Sequence, residues 1–157
     1  MENRIEILRK YIENFLFEKT DEIMLRFVQL NHMYSVSQFC AMIALKRGEN
    51  AELAMMAGLL HDFHTFLTLE PENHAEKGAI LAKEVLEKLK ITADDETDKI
   101  CSAIRSHSSK NSVQSAFAEV LIDADVMQHC LFNVTIPVSE REKNRFEKLV
   151  KEFSLKN

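Results

Sequence analysis

The chain has 157 residues, 46% hydrophobic and 29% charged, with a formal net charge of −5, which excludes a disordered chain and leaves enough length to close a core without disulfides. Three glycines and two prolines are too few for the turns of an all-β fold. No Lys/Arg block stands apart from compensating acids, so a nucleic-acid polymer is not expected as partner, whereas a small phosphorylated substrate stays open because metal ions can supply positive charge locally.

Ile5, Leu8, Ile12 and Phe15 step at helical spacing and predict an amphipathic first helix ending near Glu18. Thr20-Asp21 reads as a cap for a short second helix through Phe27 or Val28. A third starts about Asn31, carries His32, Val36, Phe39 and Ile43 on one stripe, and stops at Gly48. Asn50 is placed to cap the next, whose inner face reads Leu53, Ala57, Leu60 and His61. After a loop from Thr68 to Pro71, Pro71 or Glu72 opens a long helix through Lys90 with His74, Gly78, Leu81 and Val85 inward. Thr92 with Asp95 suggests a capping box for a helix to about Ser106, and Ser108 to Ser112 is a polar turn. A further helix covers about Val113 to Cys130, Pro137 breaks the chain, and Ser139 with Glu142 reads as the capping box of a last helix, Glu140 to Phe153. The expectation is an all-α bundle of about six to seven helices, in one domain over residues 1–157.

Cys40, Cys101 and Cys130 lie in separate apolar segments and form no CxxC, which suits reduced, semi-buried thiols. The N-terminus is charged throughout and no apolar run reaches the length of a membrane span. A cytoplasmic protein with no membrane partner is expected, and a homodimer is compatible with this reading.

The chemistry lies in where the histidines fall. His32, His61 and His74 occupy the apolar stripes of three separate helices. A buried imidazole is costly unless it is paired or bound to a metal, and histidines pointing inward from several helices suggest one shared metal site in the bundle core. Asp125 sits in the otherwise apolar Val120-Leu121-Ile122-Asp123-Ala124-Asp125-Val126, where a carboxylate needs a cation. Asp123 competes for that role; two residues apart, the pair points to nearly opposite helix faces, so only one can reach a common centre.

The ordered set of an inward His32, then Leu59-Leu60-His61-Asp62, then further histidines and the Ala124-Asp125 step resembles the HD superfamily of metal-dependent phosphohydrolases, over about His32 to Asp125. The resemblance implies His32, His61, Asp62 and Asp125 as the ligands of one metal, with the Ala-Asp pattern favouring Asp125 over Asp123. His61-Asp62-Phe63-His64-Thr65-Phe66, His74 with Gly78-Ala79, and Ala103-Ile104-Arg105-Ser106-His107 are similar to the small bacterial HD hydrolases that cleave symmetrical dinucleoside tetraphosphates. That group implies a second metal at His74 and His107, with Asp62 between the two ions. It usually has a Lys at the position of Thr65, and a Tyr-Ile-Glu-Pro run where this chain has Val126-Met127-Gln128-His129.

The expected activity is hydrolysis of a nucleotide, dinucleoside polyphosphate or similar phosphate ester by a metal-activated water; the alternative is a non-catalytic nucleotide-binding module. Asp62 and His64 are the catalytic candidates, His64 as proton donor to the leaving group. Lys77, three residues after His74, and Arg105 are candidates for phosphate contact, although Arg105 reaches the site only if its helix ends there. His129, four residues after Asp125, could face the cavity beside it, and the preferred reading is a satisfied core histidine. Imidazole and carboxylate ligands favour one or two ions of Fe, Mn, Co, Ni or Zn over Mg.

Overall fold

The computed structural model describes residues 3–19 and 22–156, so the proposed Thr20-Asp21 cap lies outside the described residues. Among them the chain is all-α, with seven longer helices and a six-residue one. These are α1 (Arg4–Lys19), α2 (Ile23–Arg47), α3 (Ala51–Leu60), α4 (Phe63–Thr68), α5 (His74–Leu89), α6 (Asp94–Ser106), α7 (Ala116–Phe132) and α8 (Glu140–Glu152). None is long and apolar enough to cross a membrane, and all three cysteines are buried free thiols.

Helix α3 is the axis. Leu53, Ala54, Met56, Ala57, Gly58, Leu59 and Leu60 are all buried, the pattern of a helix surrounded on every side. It packs on α1, α2, α6 and α7. Asn50 caps it as expected, Oδ1 accepting from the Leu53 N–H at 3.0 Å. The crossing with α2 depends on Gly58, where a Cβ would stand 2.8 Å from Ser37 Cα and 2.9 Å from its N.

Several boundaries differ from expectation. The second and third helices are one, α2, because Gln29, Met33, Val36, Ser37, Cys40, Ile43 and Ala44 form one buried stripe through the supposed break. No Gly or Pro interrupts it until Gly48, whose φ of 74° ends the helix. Phe63 to Thr68 forms α4, too short for its periodicity to be read. The next helix starts at His74, because Asn73 (φ 52°) is still left-handed. Helix α6 is capped at Ala93, whose N–H donates to Glu96 Oε2 at 3.0 Å, while Thr92 Oγ1 pairs with Thr97 Oγ1 at 2.8 Å. Helix α7 is capped at Ser115, its Oγ accepting from the Ala118 N–H at 3.2 Å.

Candidate metal centre

The first donor set comes from three parts of the fold. His32 projects from the middle of α2, His61 and Asp62 occupy the turn between α3 and α4, and Asp125 lies on α7. His32 Nε2 and His61 Nε2 stand 3.2 Å apart, and Asp62 Oδ2 lies 3.5 Å from the former and 3.3 Å from the latter. Asp125 Oδ1 is 3.8 Å from both nitrogens. Donors about 2.1 Å from one ion, at angles of about 90–109°, stand roughly 3.0–3.4 Å apart. The donors of His32, His61 and Asp62 therefore stand close to the spacing that one divalent ion would set, with Asp125 Oδ1 somewhat farther from the two histidines, and nitrogen and carboxylate donors suit a transition metal.

A second set shares Asp62. Its other oxygen, Oδ1, lies 3.5 Å from His107 Nε2, and the His74 and His107 rings meet edge to face at 5.0 Å. Asp62, His74 and His107 bring one donor atom each within 4.8 Å of one another. Asp62 thus stands between the two sets, one oxygen toward each.

Each of these rings is held from behind. His61 Nδ1 is 2.8 Å from the Gly58 carbonyl, His107 Nδ1 2.6 Å from that of Ile104, and His74 Nδ1 3.2 Å from that of Pro71. His32 Nδ1 lies 2.9 Å from Gln128 Oε1. Donating Nδ1–H to an oxygen fixes the tautomer that presents Nε2 as a lone pair, which is how metal-binding histidines are oriented. Gly78 tightens the arrangement: a Cβ there would stand 2.9 Å from the His61 carbonyl oxygen.

The field of the site calls for a cation. Burial opposes the charge on Asp62, yet the imidazoles of His61, His107 and His32 around it hold it far below the usual carboxylate range. Burial likewise works against Asp125, which His61 and Lys110 hold down. Burial would keep the His61 ring neutral, but the two aspartates push its pKa up. A bound divalent ion answers the same demand.

The competition between the two aspartates is resolved by where their helix faces point. Asp123 faces away from the histidines, its oxygens 2.8 Å from Arg47 Nη2 and 2.9 Å from Arg145 Nη1. Lys77 and Arg105 are not brought into the cluster. Lys77 Nζ pairs with Glu70 Oε2 at 2.9 Å, and Arg105 Nε with Glu76 Oε2 at 2.6 Å, on a helix that continues through Ser106. His64, on α4, has its Nδ1 3.5 Å from Thr68 Oγ1.

His129 is not a core histidine. Its side chain is 43% exposed, it stacks on His32 at 5.6 Å, and Nε2 lies 3.3 Å from Asp125 Oδ1. Three neighbours escaped sequence reasoning. The Lys110 side chain is 7% exposed, with Nζ 2.8 Å from Asp125 Oδ2 and 2.6 Å from Glu142 Oε1; in sequence it belongs to a polar turn. Glu142 is no capping-box partner: the Ser139 hydroxyl donates to its Oε2 at 2.9 Å, and it turns inward to Lys110 and His129. Gln128 is buried as the support of His32. Its place two residues before Cys130 on an apolar helix was the one signal available.

A cavity of about 420 Å³ opens over the first set, bordered by His32, Asp62 and His129 together with Val28, Phe66 and Phe132.

The chain is similar to several known proteins. Ribonuclease Y of Listeria monocytogenes (serotype 1/2a, strain 10403S) is 31% identical over 121 residues, covering 76% of this chain and 22% of that protein. Ribonuclease Y of Petrotoga mobilis is 43% identical over 63 residues, 40% of this chain and 12% of that protein. The chain thus spans about a fifth or less of the length of these curated relatives. A crystal structure of a predicted HD superfamily hydrolase from an uncultured Thermotogales bacterium superposes with a TM-score of 0.59 at 22% identity, over 92% of this chain and 88% of that one. That likeness shows a shared fold. The HD domain model matches residues 30–129, a span from just before His32 to just beyond Asp125, and the chain therefore belongs to the HD domain family, the metal-dependent phosphohydrolases that its histidines and aspartates resemble.

Proposed function

We propose that this chain hydrolyses the phosphate ester of a nucleotide or related small molecule, with His32, His61, Asp62 and Asp125 holding one divalent transition-metal ion and Asp62, His74 and His107 a second. The observation that carries the reading is Asp62, whose two oxygens face two separate histidine sets. Bound ions would neutralise the phosphate oxygens and lower the pKa of a coordinated water to about 7. The residues themselves supply the rest. Asp62 fixes the spacing of the two sets, and Gln128 and the carbonyls of Gly58, Pro71 and Ile104 hold the rings. His64, two residues after Asp62 on α4, is our candidate to protonate the leaving oxygen. Val28, Phe66 and Phe132 offer an apolar surface to a base or other flat leaving group, in a cavity within the usual range of about 300–1,000 Å³ for small-molecule sites.

The ribonuclease Y relatives favour a second reading, cleavage of an RNA phosphodiester. The net charge of −5 and the pairing of Lys77 and Arg105 with glutamates argue for the smaller substrate, since polymer binding rests on cationic contacts along the backbone. The test is a phosphate-release and strand-cleavage screen over nucleoside monophosphates, dinucleoside polyphosphates and RNA oligonucleotides, with Mn, Co, Ni, Fe and Mg and a chelated control. Turnover of a small nucleotide that disappears on chelation supports the proposal. Cleavage of oligonucleotides alone replaces it with the RNA reading, and no metal-dependent turnover on any of them overturns it in favour of a binding module.

A further inference from the structure

The four histidines of the two sets share a construction, Nδ1 against an oxygen, and in His32, His61 and His107 Nε2 stands toward a carboxylate. A fifth histidine, which neither set uses, follows the same rule. His129 Nδ1 lies 2.8 Å from Glu142 Oε1, and its Nε2 lies 3.3 Å from Asp125 Oδ1. Its Nε2 side, His32 and Asp125 bring their donor atoms within 4.8 Å of one another. The opposite oxygen of Asp125 is occupied by Lys110 at 2.8 Å, so Asp125 presents one oxygen, Oδ1, on the side where His129 stands. A carboxylate behind the distal ring nitrogen is the arrangement that raises the basicity of a metal-binding imidazole and fixes its tautomer.

We infer that His129 is a fifth protein donor to the ion held by His32, His61, Asp62 and Asp125, with Glu142 as its positioning residue. The inference rests on the proposed reading of that quartet as a metal site. It makes α8, which lies beyond the residues matched by the family model, part of the centre, because Glu142 is delivered by its first turn. It also narrows the first ion's open positions on the side of the cavity, leaving fewer places for water or a phosphate oxygen than four donors would.

The experiment uses Co²⁺ as probe on the full chain after chelation. Co²⁺ affinity is measured by chelator competition, and the ligand field by visible absorption, for wild type, His129→Ala, Glu142→Gln and His74→Ala. Circular dichroism of each chelated protein checks that the helices are intact. His129→Ala is expected to weaken the tighter Co²⁺ by about tenfold or more and change its absorption, and Glu142→Gln to weaken it in the same direction by about tenfold. His74→Ala should leave that ion in place. In Co²⁺-loaded wild type, the His129 Nδ1–H should give a contact-shifted exchangeable proton signal that is lost in His129→Ala, a readout that needs no comparison of folding. Unchanged affinity and absorption in His129→Ala, with no such signal in wild type, overturns the inference and leaves His129 as a bridge between Asp125 and Glu142. A wild type that takes up no Co²⁺ overturns the metal reading itself.

Discussion

Asp123 and Asp125 carry the same side chain on the same helix, and their surroundings give them different work. Asp125 is set between two histidines and Lys110, whereas Asp123 joins Arg47 and Arg145. Asp125→Asn is therefore expected to lower metal content and hydrolysis together, because an amide offers the ion no charge. Asp123→Asn should leave metal content unchanged and cost about 1–3 kcal/mol of stability, since two half-buried guanidiniums lose a charged acceptor. Elemental analysis alongside denaturant melts separates the two outcomes. A loss of metal in Asp123→Asn with full occupancy in Asp125→Asn would reverse the assignment.

Helix contacts decide how closely those residues approach. Gly78→Ala places a methyl 2.9 Å from the His61 carbonyl oxygen, a backbone atom that moves only with the α3–α4 turn. The expected cost is about 1–3 kcal/mol of overpacking, together with weaker metal binding as His61 and Asp62 shift; melts of the chelated protein and Co²⁺ competition measure each part. At the other end, α8 is tied down by charge. Arg47 of α2 pairs with Glu152 at 2.7 Å, and Arg145 of α8 pairs with Glu119 of α7 at 2.5 Å. The Arg47 hydrogen bonds lower the Glu152 pKa below 4.5. Burial opposes the charge on Glu119, but Arg145 lowers its pKa too. Both carboxyls are more acidic folded than unfolded, so their stabilisation is complete above pH 4.5 and is lost as the pH falls below it. Hydrogen exchange should show α8 loosening first as the pH is lowered from 4.5, ahead of α2 and α3; simultaneous exchange of all three would refute the clasp.

For the whole molecule, the candidate metal centre joins elements far apart in sequence, α2, the α3–α4 turn and α7 in one set and α5 and the C-terminal cap of α6 in the other. An ion held there binds only the folded chain, and at a free concentration of 100 times its Kd it adds about 2.7 kcal/mol. Chelation should accordingly lower the Tm, and His74→Ala should remove about one ion per chain while the first stays. Full metal content and full activity in His74→Ala would reduce the centre to one ion. An unchanged melting curve on chelation would remove the metal from the account of stability.

Much of this was legible in the order of residues, because helical periodicity is a local property. The buried Ile5, Leu8 and Ile12 of α1, the Asn50 cap and the Gly48 stop each depend on residues within a few positions of one another. An imidazole or carboxylate on an apolar stripe is also a local anomaly, so His32, His61 and Asp125 stood out before any packing was known. The fusion into α2 was missed because a polar Gln29 resembles a break until Phe66 is seen accepting from its Nε2 at 3.2 Å. Lys110 and Glu142 were illegible, and His129 was read as a core residue, for a related reason. A lysine in a polar turn, a glutamate three residues after a serine and a histidine near a helix end all have ordinary local explanations. Their roles come from through-space neighbours 13 to 32 residues away in the chain, and only the packing of α7 and α8 brings those charges together. The sequence by itself determined the helices and the inward-facing donors; tertiary structure decided which aspartate meets the histidines, because helix-face direction becomes a contact only when a second helix is in place.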